Sequence, residues 1–112
     1  IFSTGTDEEI IYGMQQGQID QFTHPELIIS TKKFGTDTKD VQAFRDLVNY
    51  LRNECGVDPQ AYVDDDLKNV MAAVESKGFR NVYHKLLGSR FLEEHEGYTT
   101  IWRFRDMREF NQ

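Results

Sequence analysis

The chain has 112 residues, 38% of them hydrophobic and 29% charged, with 19 acidic against 13 basic side chains and a formal net charge of -6. That length has room for one core, so a single compact domain over residues 1–112 is expected, and eight Phe, five Tyr and one Trp exclude a disordered composition. No apolar run approaches the roughly 20 residues of a bilayer span, so no membrane partner is expected, and a single cysteine, Cys55, excludes an intramolecular disulfide framework.

Thr6-Asp7-Glu8-Glu9 has the form of a capping box, in which the Thr6 hydroxyl accepts the Glu9 amide and the Glu9 carboxylate bonds back. A helix is expected to start there, carrying Ile10, Ile11 and Met14 on one face, and to end near Gly17. His24-Pro25 breaks any helix, and the β-branched residues over 26–32 predict a first strand. Thr36-Asp37-Thr38 offers N-cap oxygens for a second helix, whose apolar stripe runs through Val41, Phe44, Leu47, Val48, Leu51 and Cys55. Gly56 is placed to close it in the left-handed conformation. Asp64-Asp65-Asp66 introduces Leu67, Val70, Met71 and Val74 at three- and four-residue steps, which predicts a third helix over about 65–77 with Gly78 as its stop.

Residues 79–95 read two ways. Phe79, Val82, Tyr83, Leu86, Leu87, Arg90 and Phe91 fit a helical stripe, and Gly88-Ser89 interrupts it, so a helix to about Leu87 followed by a strand is the preferred reading. The β-branched and aromatic run over 98–105 predicts a second strand of a hairpin, paired antiparallel with 89–94 across a Glu96-Gly97 turn. The expected fold class is α+β: three to four helices on a small, mainly antiparallel sheet with a C-terminal β-hairpin.

Charge is unevenly spread along the chain. Residues 1–76 hold 14 acids and six bases, whereas residues 77–112 hold seven bases and five acids. An acidic first part repels nucleic acid and attracts basic surfaces over about one Debye length. Asp37, Asp40, Asp64, Asp65 and Asp66 are the residues expected to steer a basic protein partner, with Tyr62 as an aromatic anchor. Such a chain is expected to be a small non-enzymatic interaction protein of the inhibitor, immunity or regulatory adaptor type.

Two alternatives follow from other residues. Arg80, Lys85, Arg90, Arg103 and Arg105, interleaved with Tyr83, Phe91, Tyr98 and Trp102, suit a nucleic-acid-binding module of winged-helix type, which neutralises phosphates and stacks bases. Against it, Glu93, Glu94 and Glu96 lie where a wing would carry bases. His84 or His95 as a general base would define a small enzyme, and only a tertiary structure can bring the two together.

Metal chemistry has little support. One Cys and three dispersed His give no closed zinc set, position 99 is Thr99 and not the second histidine of a His-Glu-x-x-His helix, and a calcium loop beginning at Asp64 would need glycine where Asn69 stands. Glu75-Ser76-Lys77 has the spacing of a carboxylate-metal nuclease but falls on a helix end. Neither Gly-x-Gly-x-x-Gly nor Gly-x-x-x-x-Gly-Lys occurs, so no metal or cofactor is expected. A chain that starts at Ile1 with no basic and apolar leader is expected to be cytoplasmic, and pairing of edge strands would allow a homodimer.

Overall fold

Two compact units divide the chain, Ile1–Lys39 and Asp40–Gln112. The structure, a computed structural model, describes residues 1–16, 29–86, 92–102 and 106–107. Helices and strands both contribute, and among the described residues no helix is long and apolar enough to cross a membrane.

In the first unit a short strand β1 (Phe2–Ser3) precedes helix α1 (Asp7–Gln16). The start is the expected one, since Thr6 Oγ1 accepts the Glu9 N–H at 3.2 Å and the Thr6 carbonyl accepts the Ile10 N–H at 3.0 Å. The Glu9 carboxylate bonds back to the Thr6 hydroxyl, at 3.1 Å, where a full capping box would use the Thr6 amide. Ile10 is buried; the side chains of Ile11 and Met14, Gly17, His24-Pro25 and residues 26–28 lie outside the described set. Strand β2 (Ile29–Ser30) runs parallel to β1. The strand expected to continue to residue 32 stops at Ser30, because the Ser30 hydroxyl accepts the Lys32 N–H at 3.1 Å and opens a 3-10 turn, Thr31–Phe34. Gly35, at φ 76°, closes that turn.

The second unit opens on helix α2 (Val41–Asn53), with Ala43, Phe44, Leu47 and Val48 buried along the expected stripe. Its cap is Asp40, whose carboxylate accepts the Ala43 N–H at 2.8 Å, and not the Thr36-Asp37-Thr38 segment. The difference is one of reach, since the side chain that fills the cap must lie two or three residues before the amide it accepts. Gly56 takes φ 65°, and the Val57 N–H bonds back to the Leu51 carbonyl at 2.8 Å, as a left-handed helix closure requires. Cys55, expected in the core, is partly buried.

Strand β3 (Ala61–Asp64), helix α3 (Leu67–Ser76) and strand β4 (Asn81–Lys85) then form a β-α-β unit. Lys77, and not Gly78, takes the left-handed position after α3, at φ 57°. Gly78 answers to packing instead: a Cβ there would lie 2.5 Å from Val48 Cγ2. Strands β5 (Glu93–Glu94) and β6 (Thr99–Ile101) complete a sheet in the order β3-β4-β6-β5.

Two corrections follow. Residues 81–85 are a strand where a helix to about Leu87 was expected, and the sheet is mainly parallel where an antiparallel one was expected, because β3 pairs parallel with β4 and β4 with β6. Val82, Tyr83 and His84 are all buried, so β4 is covered on both faces and its apolar residues show no alternation that would distinguish strand from helix. A covered central strand and a helical crossover both favour parallel pairing. The hairpin is present in shortened form, with Glu93 opposite Thr100 and Glu94 opposite Thr99; residues 87–91 and 103–105 lie outside the described set.

The sheet's two faces carry different clusters. Helix α3 packs on β3, β4 and α2, and on that side the rings of Phe44, Tyr62 and Phe79 meet at centroid distances of 4.8 to 5.9 Å. Tyr83, Ile101 and Met107 form the other cluster, with Ala61 and Val63 against them. The two helices followed by a hairpin that the alternative winged-helix reading requires are not found in that order, since β3 and β4 flank α3.

Candidate functional site

The acidic triplet lies at the carboxyl end of β3, in the turn that leads into α3. In parallel sheets this edge is where ligands gather, because loops there converge and helix amino termini point outward. The three carboxylates have different tasks. Asp64 Oδ1 accepts the Asp66 N–H at 2.9 Å, while its Oδ2 accepts the Tyr62 hydroxyl and the Asn69 amide, the latter at 3.2 Å. Asp66 Oδ1 accepts the Lys68 N–H at 3.0 Å and caps α3. Asp65 is exposed, and its backbone carbonyl lies 3.0 Å from His84 Nε2. A carbonyl only accepts, so Nε2 carries the proton in this bond.

His84 sits at the matching position of the neighbouring strand, opposite Asp64 in the parallel register, and is 9% exposed. It therefore braces the turn from beneath, while Asn69 braces it from the first turn of α3. Neither brace was anticipated from the sequence, because both depend on register and helix phase. The only local signal was an amide one helical turn beyond a carboxylate run.

Tyr62 is corrected from exposed anchor to buried scaffold: it is 9% exposed, packed on Phe44 and Phe79, and donates to Asp64. Burial, then the Asp64 hydrogen bond and the charges of Asp64, Asp65 and Asp66, push the phenol far above its ordinary value. It stays protonated and keeps donating. Asp40 caps α2, and Asp37 makes an exposed ion pair with Lys32 at 3.0 Å.

On the other candidate set, Arg90, Arg103 and Arg105 lie outside the described residues. Tyr83, expected as a stacking surface, is 3% exposed and belongs to the core; Trp102 is 36% exposed, and Lys85 partly buried. Arg80 is exposed. The two histidines both meet the ring of Tyr98: the His95 and Tyr98 rings stack at 4.5 Å and 13°, and the His84 ring meets Tyr98 edge-on at 6.4 Å. His95 Nε2 lies 2.9 Å from Thr100 Oγ1 and 3.6 Å from a Glu93 carboxylate oxygen.

An open depression of about 340 Å³ adjoins this stack, and Arg80, Asn81, Glu94, His95 and Tyr98 are among the residues that line it. Among the described residues, no group of three or more His, Cys, Asp or Glu side chains is placed to hold a metal ion. Comparison with protein-family models, with curated proteins and with solved structures returned no match, so the functional reading rests on these residues and their geometry.

Proposed function

We propose that the chain is a recognition module that binds a basic segment of a protein partner through the turn over residues 64–66. The observation that carries this reading is the division of labour in that turn: the Asp64 and Asp66 side chains and the Asp65 backbone are each held by hydrogen bonds, while the exposed Asp65 side chain makes none among the described residues. A charge on a prearranged support loses little conformational freedom when a partner pairs with it, so more of the interaction appears as affinity. The net charge of -6 adds longer-range attraction for a cationic surface and speeds encounter.

The test is binding of a fluorescently labelled peptide rich in lysine and arginine, followed by anisotropy at low and at physiological salt. Asp65→Asn is expected to weaken binding several-fold at low salt, whereas Glu75→Gln, which removes the same charge from an exposed position near the end of α3, leaves it close to native. Equal effects of the two changes would reduce the interaction to bulk charge and reject the site.

A further inference from the structure

We propose that the depression beside the His95–Tyr98 stack is a binding site for a small molecule that joins a planar ring to an anionic group and also carries an amino group. It lies at the amino-terminal ends of β4 and β6, the edge opposite to the carboxyl ends where the acidic turn sits, and so is independent of the peptide-binding reading.

Size comes first. At about 340 Å³ the depression falls at the lower end of the roughly 300–1,000 Å³ typical of small-ligand sites. It holds three kinds of recognition group. Arg80 is exposed and forms no hydrogen bond or ion pair among the described residues, so its planar fork of donors is available to a carboxylate or phosphate. Glu94, also exposed, lines the same depression without pairing to Arg80, which leaves a separate acceptor for an amino group. The stacked rings line the same depression. Tyr98 covers one face of His95, whose side chain is 34% exposed and lines the depression, and the ligand ring is assigned to the face that Tyr98 leaves.

The platform is built to stay in place. Gly97 bends the chain at φ 89° so closely against α3 that a Cβ would lie 2.5 Å from Val74 Cγ1. The His95 N–H donates to the Tyr98 carbonyl at 2.8 Å, and His95 Nε2 is anchored on Thr100 Oγ1. A ring held by a stack and a hydrogen bond gives up little freedom when a ligand stacks on it. An inorganic anion would use Arg80 alone, and an uncharged aromatic would use only the stack; a ligand with all three groups uses the whole site.

Two classes of metabolite present this chemistry, aromatic amino acids and amino-bearing nucleoside monophosphates. The experiment titrates tryptophan and, separately, adenosine monophosphate into the isotope-labelled full chain and follows backbone amide shifts. Saturable shifts centred on residues 80–82 and 94–99 with either probe support the site, and the probe that binds more tightly names the class. Arg80→Gln should weaken that probe at least about tenfold, the loss expected for a charged hydrogen-bonding group. Glu94→Gln should weaken it less. Absence of saturation with both probes at millimolar concentration, saturable shifts centred elsewhere, or unchanged affinity in Arg80→Gln would overturn the proposal, and the native titration remains decisive if a variant fails to fold.

Discussion

Tyr62 and Asp64 stand two residues apart on one strand, and the buried phenol donates its proton to the carboxylate that shapes the acidic turn. This bond joins the aromatic cluster of Phe44, Tyr62 and Phe79 to the surface at residues 64–66. The tyrosine matters to the turn from inside the core, and its proton links turn geometry to pH.

The first consequence is an alkaline instability. The folded state raises the Tyr62 pKa, so above the unfolded chain's value of 10.0 the unfolded state releases a proton that the folded state retains. Stability from this group is therefore complete below pH 10 and declines as pH rises further. Denaturant unfolding of native protein and of Tyr62→Phe across that range should show a flatter pH dependence in the variant, together with about 1 kcal/mol lower stability at neutral pH from the lost hydrogen bond.

Asp40 and Asp37 separate two uses of a carboxylate. Asp40→Ala should cost about 1 kcal/mol, because it leaves the Ala43 N–H without its cap. Asp37→Ala, which breaks an ion pair whose side chains are 44% and 87% exposed, should cost less than about 0.5 kcal/mol. Chemical denaturation measures both.

Glycine substitutions distinguish backbone strain from steric conflict. Gly56→Ala meets no atom within 4 Å and should cost about 1 kcal/mol from the left-handed backbone alone. Gly97→Ala adds a clash with Val74 to the same strain and should cost about 3 kcal/mol. Midpoints of urea unfolding, compared at constant slope, give the two values.

Loss of the His84 brace should loosen the turn without unfolding the sheet. In His84→Ala the Asp65 carbonyl loses its donor, and the amides of Asp66 and Lys68 should exchange with solvent about tenfold faster, the kinetic equivalent of one hydrogen bond. Unchanged exchange at those two amides would remove His84 from the turn's support.

Helices α1, α2 and α3 were readable because their information is local. A threonine hydroxyl three residues before a glutamate, or apolar residues at three- and four-residue steps, specify a start and a buried face without reference to the rest of the chain. Gly56 was readable for the same reason: a left-handed closure follows from one residue and its helix. The acidic run before α3 was likewise visible as a feature of the chain.

What each acid does was a matter of tertiary structure. Asp64, Asp65 and Asp66 are identical in type and adjacent, yet one is a scaffold, one has a side chain with no hydrogen bond among the described residues and one is a cap, because strand pleat, helix phase and the register with His84 send their groups in different directions. The parallel sheet escaped notice on the same ground, since β4 is covered on both faces and pairs with segments about 20 residues before it and about 16 after it in the chain. Local patterns carry periodicity and caps; pairing partners and the meeting of His84 with His95 around Tyr98 arise only when distant segments are packed together.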